Sequence, residues 1–477
     1  MKMSKFVNFI KTAIVFLLGN VFSKMLSFLL LPLYTNKIEP EAYGQYGLVM
    51  SVLNVVVPVA YLCIWDGVFR ISYEAKEERG KYVIINNGIA VMVMGTIVFS
   101  MGTIIFSMIV PIEYMEYIIP TGIMLAVQYF YSFSARALGE SKFFVLSGCI
   151  NSGTILALNC IFIGIFNKGI WMVYLSYIIG TLFQVLVMEY KLRLISSFRI
   201  KDIEWSYILQ CAKFSLPIAF NSISVWFLLG FTQFIISHRL GVYYNGQFNV
   251  ANKFSSIIAL LVNVVQFAWY ELAYELFDDE QAAKKYYHMM LNYMFTVLIL
   301  AFPCIVFGIK MIYPFYVGKM YQESLALIPA LMLGTIFNAY AGFMGTIFLA
   351  YKESDKLMLS IAAAGFFNVV FAVAFTKSIG VGGIVIIYCI ANYIRVLVED
   401  IQLKKSRGIG IIYEPMSIMV IIGTIIGFFI LDGLKLALGL ISYFLILVLI
   451  NRNKIILLIE KISVVLVSFK KENKKGL

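Results

Sequence analysis

Enzyme chemistry would need histidine, cysteine or acidic residues at spacings that bring them together, and the sequence offers no such pattern. The two histidines, His238 and His288, lie in predicted loops, and neither has a nucleophile or metal ligand at a recognisable spacing. The six cysteines occur singly inside apolar runs, without the CxxC spacing of a metal or redox site. The sequence therefore predicts no catalytic residue, no metal site and no cofactor.

Cations inside apolar stretches are the residues with the clearest chemical signal. A charge at the centre of a membrane helix costs about 2.5–3.5 kcal/mol on insertion scales, so each one needs a reason. Lys24 lies roughly 15–20 Å from either end of its apolar run at 1.5 Å per residue. Because a lysine side chain does not easily span that distance, we expect the Lys24 ammonium to face a protein interior or an aqueous cavity.

Three further cations lie in or near predicted spans. Lys253 is close to the external end of its span, where it either snorkels outward or lines the same cavity. Lys213 is close to the inner mouth of another span. Arg395 precedes Glu399 by one helical turn, and this spacing favours a local ion pair.

Carboxylates are scarce away from the ends of the apolar runs. Asp66 precedes Arg70 by one turn at the inner boundary of the second span, so we predict a local pair there as well. An interior with cations and few acids would receive an anionic substrate better than a cationic one.

The elements that must position these residues are membrane-spanning helices. Of the 477 residues 61% are hydrophobic and 13% are charged, whereas soluble domains carry about a quarter charged residues. The apolar runs are roughly 20 residues long, as needed to cross about 30 Å of hydrocarbon, and about fourteen of them can be drawn. We predict an all-α polytopic helix bundle, whose first apolar run is retained because it is too long for a signal peptide.

The net charge of +12 is explained by membrane topology rather than by nucleic-acid binding. Most of the 38 Lys and Arg residues fall in alternate loops, and cytoplasmic loops carry such an excess. This asymmetry predicts that both termini are cytoplasmic, and no nucleic-acid partner is expected.

An internal repeat divides the predicted spans. A polar and basic segment at 34–38, followed by Tyr-Gly-Gln-Tyr at 43–46, recurs about 202 residues later at 236–240 and 245–248. The turn at 138–142 recurs at 351–356 with an offset of about 213 residues. We therefore predict two homologous six-helix lobes whose relating axis runs along the membrane normal.

The predicted domain boundaries follow from this repeat. Residues 1–200 form the N-terminal lobe, 201–403 the C-terminal lobe, 404–450 an extra helical hairpin, and 451–477 a basic amphipathic cytoplasmic tail. Apolar residues of the tail recur at helical spacing beside lysines, which is typical of a helix attracted to anionic membrane lipids. A merely solvated basic end explains the last residues almost as well.

Leu-Pro-Leu-Tyr-Thr-Asn at 31–36, Tyr-Gly-Gln-Tyr at 43–46, Tyr-Lys-Glu-Ser at 351–354 and the glycine-rich turn at 380–383 carry a family resemblance. Over residues 5–400 the chain resembles the multidrug/oligosaccharidyl-lipid/polysaccharide exporter superfamily, and within it the Wzx-type flippases of polysaccharide biosynthesis. The resemblance implies alternating access and transfer of an undecaprenyl-pyrophosphate-linked oligosaccharide across the bacterial cytoplasmic membrane. It also implies polysaccharide polymerases and other assembly proteins as partners.

In the related lipid II flippases, cations on the first, second and eighth helices line the cavity. Lys24 and Lys253 match the first and the eighth, while the second helix offers Ser51 and Asn54 but no buried cation. A lysine can hold a pyrophosphate as a point charge. Polar residues inside the spans would bind the sugar hydroxyls, or they form hydrogen bonds between helices instead. These residues are Asn20, Asn54, Gln128, Asn221, Gln233 and Asn263.

Two other functions remain open from the sequence. A cation-coupled multidrug exporter of the same superfamily would share the architecture, but it typically needs carboxylates in the middle of spans. A membrane-embedded glycan polymerase or transferase would need His, Arg or Asp clustered in an external loop, and the predicted external loops are short.

Overall fold

The computed structural model describes residues 26, 28–75, 77–109, 113–276, 280–410 and 415–433, together with 435, 436, 438, 439 and 443. Most of the predicted first span, the last predicted span and the tail at 451–477 lie outside these residues. Within them nine helices are long and apolar enough to cross a membrane. The protein is therefore a multi-pass helical membrane protein, as the hydrophobic run lengths predict.

The described helices follow one another with short connections. In chain order they are α1 (Leu31–Lys37), α2 (Pro40–Ala60), α3 (Ile64–Ser72), α4 (Glu78–Ile109), α5 (Met115–Ala137), α6 (Ser141–Asn159, continued by a π-helical segment Cys160–Ile165), α7 (Trp171–Leu192), α8 (Trp205–Arg239), α9 (Val242–Leu276), α10 (Glu280–Tyr316), α11 (Ile328–Ala350), α12 (Ser354–Arg407) and α13 (Pro415–Ile430). Short 3-10 segments cover Ile200–Asp202 and Lys319–Leu327.

Three predicted spans illustrate how the helices differ in detail from the sequence-based boundaries. The sequence predicts a continuous second span over 46–66, but α2 ends at Ala60 and Cys63 adopts a left-handed conformation with φ 47° before α3 begins. The predicted eleventh and twelfth spans fall within α12, which is interrupted at Gly380 with φ 64°. Glycine tolerates this positive φ at little cost, so the turn between the two spans needs only this break.

The first repeat match has a counterpart in the packing. The helices α2 and α9 begin at Pro40 and Val242, which are 202 positions apart, and they cross at Gly44 and Gly246. A Cβ built on Gly44 would lie 1.9 Å from the Val242 carbonyl oxygen, and one built on Gly246 would lie 2.1 Å from that of Pro40. The contacts are reciprocal, so the two matched segments pack against each other through their glycines.

The second repeat match gives two turns with the same backbone hydrogen bonds. Glu140 N–H donates to Ala135 O, and Glu353 N–H donates to Phe348 O, both at 2.8 Å. The preceding residue has a positive φ in both turns, 81° in the first and 60° in the second. Sequence likeness at an offset of 213 residues therefore corresponds to likeness of the backbone.

Contacts divide the chain into two compact units. One unit comprises 1–291 and 315–411, and the other comprises 292–314 and 412–477. In the second unit Lys310 Nζ lies 2.8 Å from Asp432 Oδ1 and donates to Leu431 O. The pocket and the charged cluster described next lie entirely within the first unit.

Candidate functional site

The cations predicted to line a cavity differ in their surroundings. Lys24 lies outside the described residues. Lys213 is exposed on α8, whereas Lys253 is half-buried on α9. Neither Lys213 nor Arg395 forms a hydrogen bond or ion pair with another predicted site residue that the structure describes.

Arg395 instead forms the local ion pair that its spacing predicts. Its Nε lies 3.0 Å from Glu399 Oε1, and its Nη1 donates to Asn338 Oδ1 at 2.7 Å. Ser360 donates to the same Glu399 oxygen at 2.7 Å, and the Glu399 side chain is fully buried. This cluster joins α11 to both segments of α12, so the Arg395 guanidinium takes part in holding these helices together.

The predicted pair between Asp66 and Arg70 is wrong. Arg70 Nη1 lies 3.0 Å from Glu74 Oε1, one turn further along the chain. Asp66 interacts electrostatically with Arg136 of α5, whose guanidinium lies 4.7 Å from the centre of the Phe69 ring. Local spacing permits both partners for Arg70, and only the packing of α3 against α5 turns Asp66 away from it.

The predicted polar residues also separate into groups. Asn20 lies outside the described residues. Asn54 is exposed and donates to Met50 O at 2.8 Å within its own helix, while Asn221 and Asn263 are exposed. Gln233 is 7% exposed, and its Oε1 accepts no hydrogen bond from any residue that the structure describes.

Gln128 is the predicted polar residue that the structure places at a cavity. A pocket of about 320 Å³ lies among α5, α6 and α7. Its lining combines amides, hydroxyls, aromatic rings and one cation, and contains no carboxylate: Gln128, Tyr129, Ser132, Phe133, Arg136, Phe144, Val145, Gly148, Asn151, Ser152 and Gln184.

A network of amides forms one wall of this pocket. Gln184 Oε1 accepts hydrogen bonds from Gln128 Nε2 at 2.8 Å and from Asn151 Nδ2 at 2.7 Å. Tyr177 donates its hydroxyl proton to Gln128 Oε1 at 3.0 Å. Three helices thus hold these amides in place, since Gln184 Oε1 and Gln128 Oε1 each have a defined donor, while the buried Asn151 Oδ1 accepts no hydrogen bond from any residue that the structure describes.

Sequence reasoning missed Asn151, Gln184 and Arg136. Asn151 and Gln184 are polar residues inside predicted spans, which is the only signal they give in the sequence. Their meeting depends on how three helices are rotated against one another, and separate apolar runs do not encode that rotation.

Comparison with known proteins identifies the family of this chain. The sequence profile of the polysaccharide biosynthesis protein family matches residues 9–270. No curated protein matches the chain. Because the profile covers more than half of the sequence, the chain belongs to this family.

Solved structures share the fold at low sequence identity. The lipid II flippase MurJ in an inward closed conformation superposes with a TM-score of 0.67 and 14% identity, covering 93% of this chain and all of that one. An inward-facing multidrug resistance MATE transporter of the MOP superfamily gives 0.62 and 16%, covering 83% and 99%. A MOP superfamily transporter from Pyrococcus furiosus, described as having a binding pocket of reverse polarity, gives 0.56 and 15%, covering 83% and 95%.

Proposed function

We propose that this member of the polysaccharide biosynthesis protein family is a flippase for an undecaprenyl-pyrophosphate-linked oligosaccharide repeat unit. It moves this cargo between the leaflets of the bacterial cytoplasmic membrane by alternating access of the lobes 1–200 and 201–403, with both termini cytoplasmic. The cargo then passes to a polysaccharide polymerase and other assembly proteins on the outer side.

The charge balance of the buried residues carries this proposal. Glu399 and Asp400 are the carboxyl residues that are less than a tenth exposed among the side chains described. Each has a cation close by, Arg395 at 3.0 Å and Lys404 at 2.7 Å. The buried acids are already neutralised, so they offer little attraction to a cationic cargo.

The cargo has two chemically different parts, and the chain has residues for both. A pyrophosphate needs cations, and Lys24 and Lys253 are our candidates, because a lysine binds phosphate as a mobile point charge. Arg395 and Lys213 have smaller roles, since the structure commits Arg395 to Glu399 and leaves Lys213 exposed. The saccharide needs uncharged donors and acceptors, which Gln128 and its neighbours supply.

The test is transport in reconstituted vesicles. Purified protein is placed in liposomes with fluorescent undecaprenyl-pyrophosphate lipids bearing one to four sugars, and the fraction reaching the other leaflet is followed by chemical quenching. We expect wild type to move at least one of these lipids. We expect Lys24→Ala to slow it by at least about tenfold, because a charge-assisted contact contributes roughly 1.5–3 kcal/mol.

Lys11→Ala is the matched control, because Lys11 lies at the start of the same apolar run rather than in its middle. It should transport at the wild-type rate. Equal rates for Lys24→Ala and wild type would remove Lys24 from the mechanism. Failure of wild type to move any of the lipids would overturn the proposed function.

The likeness to MATE transporters keeps a cation-coupled multidrug exporter as the second candidate. The two functions differ in cargo charge. Efflux of a cationic dye from everted vesicles, driven by a sodium or proton gradient and absent without one, would favour the exporter.

A further inference from the structure

The pocket among α5, α6 and α7 presents hydroxyl groups that no described residue engages. Tyr129, Ser132 and Ser152 line it, and none of them forms a hydrogen bond with another residue that the structure describes. The Ser132 residue is 8% exposed, and Tyr129 and Ser152 are half-buried. Hydroxyl groups that line a pocket and have no partner within the protein can bind a polar occupant.

The amide wall adds further unused capacity. Gln184 is 2% exposed, and its hydrogen bonds to Gln128 and Asn151 use its Oε1. Its Nε2 donates to no residue in the described part of the chain. The occupant therefore meets an oriented amide donor next to three hydroxyls, each of which can donate and accept.

Aromatic rings form the remaining walls. Tyr129 is stacked on Trp65 with ring centres 5.1 Å apart, and Phe133 lies 5.1 Å from the Arg136 guanidinium. These contacts fix two of the rings, and Phe144 faces them from α6. Rigid apolar faces beside amides and hydroxyls suit a ligand with C–H faces and hydroxyl edges.

Size and charge narrow the ligand class. A volume of about 320 Å³ is at the lower end of the roughly 300–1,000 Å³ of small-molecule sites, so it admits a sugar ring rather than a whole oligosaccharide. The lining has no carboxylate to hold a metal ion or an organic cation. Arg136 is compensated by Asp66 and by two aromatic rings, which leaves no strong demand for an anion.

The pocket also lies where a saccharide would arrive first. Arg136 and Phe144 flank the turn at 138–140, and Gln128 lies eight residues deeper on α5, roughly 12 Å along the helix. That turn belongs to the end of the bundle that the loop charges predict to be cytoplasmic, the side from which the proposed function takes up its cargo.

We propose that this pocket binds one sugar ring of the cargo and is the saccharide-recognition subsite of the N-terminal half. This inference rests on the proposed function, since it assigns the pocket to the head group of the lipid that is moved. The amides of Gln128, Asn151 and Gln184 orient the ring's hydroxyls, and the aromatic rings cover its faces.

Gly148 is a position from which a larger side chain would fill the pocket. A Cβ built on Gly148 meets no atom within 4 Å, and the residue lines the pocket. Gly153 lies on the same helix with equally open space but does not line the pocket, so it is the matched control. We expect Gly148→Leu to slow flipping of the sugar-bearing lipids at least about tenfold, with Gly153→Leu unchanged.

Binding is measured separately with soluble probes. Saturation-transfer NMR on the purified protein uses methyl glucoside, N-acetylglucosamine and glucuronic acid. We expect signals for at least one probe with wild type and Gly153→Leu, and loss of them with Gly148→Leu. Ser152→Ala is a second variant. It breaks no hydrogen bond between described residues, and it should weaken the same signals.

The outcomes separate the two proposals. Wild type that moves no lipid-linked saccharide overturns the proposed function, while saccharide binding abolished by Gly148→Leu would still support the subsite. The subsite is overturned if wild type flips these lipids and the variants Gly148→Leu and Ser152→Ala flip them and bind the probes equally well. The proposed function then still stands. A pocket that holds only water gives this second result.

Discussion

The crossing of α2 and α9 allows a substitution whose effect can be worked from distances. Gly44→Ala would place a carbon 1.9 Å from the Val242 carbonyl oxygen and 2.7 Å from the Gly246 nitrogen. Non-bonded atoms prefer separations of about 3.5–4.0 Å. Both obstructing atoms belong to the backbone, so a side-chain rotation does not relieve the overlap and the helices must separate.

The cost has two parts. Overpacking of this kind costs about 1–3 kcal/mol, and here the rigid backbone places it toward the upper end. Separation also stretches the hydrogen bond from Asn245 Nδ2 to Gly44 O, which is 2.7 Å long and whose donor residue is fully buried. An unsatisfied buried donor costs about 1–3 kcal/mol, so we expect Gly44→Ala to lose about 3 kcal/mol or more.

The assay is reversible unfolding in mixed micelles, followed by tryptophan fluorescence as sodium dodecyl sulfate is increased. Gly246→Ala should lose a similar amount, because its Cβ would lie 2.1 Å from Pro40 O. Gly102→Ala is the control, since it meets open space in α4 and should stay within about 1 kcal/mol of wild type. Equal stability of Gly44→Ala and Gly102→Ala would refute the reasoning.

The two ion-pair clusters give two further predictions. Arg395→Leu leaves Glu399 fully buried without its cation and should cost about 3–5 kcal/mol of unfolding free energy. The double variant Arg395→Leu with Glu399→Leu should recover most of this loss, and equal losses in the single and the double variant would contradict the reasoning. Burial raises the pKa of Glu353, but hydrogen bonds from Lys356 and Arg407 outweigh this and hold the pKa below its usual value. The stabilisation is therefore present at neutral pH and is lost as the pH falls through the lowered pKa. Glu353→Gln should lower the free energy of unfolding by about 1 kcal/mol at pH 7 and leave it unchanged in strong acid. A loss that does not depend on pH would argue against this account.

Much of the frame could be predicted because it depends on local sequence. Apolar runs of sufficient length locate the described spanning helices, but not all of their ends: α2 stops early, and α9 and α10 begin seven and nine residues before the predicted spans 249–271 and 289–313. Pro58 O accepts a hydrogen bond from Cys63 N–H, and Leu62 and Cys63 both have positive φ. The sequence around 60–64 is apolar throughout, so hydrophobicity alone gives no sign of this break.

Side-chain partners were predictable only where the helix itself sets them. Arg395 and Glu399 share one face of one helix, and they pair as expected. Asp66 and Arg70 have the same spacing, yet Arg70 pairs with Glu74. Local spacing lists the possible partners, but neighbouring helices choose among them.

The repeat explains why the frame was easier to predict than the site. Both matched segments repeat the turn geometry, and in both turns the glutamate pairs with a cation near the end of a later helix: Glu140 with Lys191 of α7 at 3.1 Å and Glu353 with Arg407 of α12 at 2.7 Å. The polar interior is not repeated. At the offset of 213 residues, Asn151 and Gln184 correspond to apolar Ala364 and Leu397.

The reverse holds for the charged cluster, since Arg395 and Glu399 correspond to Leu182 and Leu186. One half therefore carries uncharged amides around a pocket, and the other carries a neutralised ion pair. Such unlike interiors at matched positions agree with the proposed cargo, whose pyrophosphate and saccharide differ chemically. Substitutions at matched frame positions such as Gly44 and Gly246 should then act alike. Substitutions of pocket residues should affect transport, whereas substitutions of the residues that match them in the C-terminal half should not.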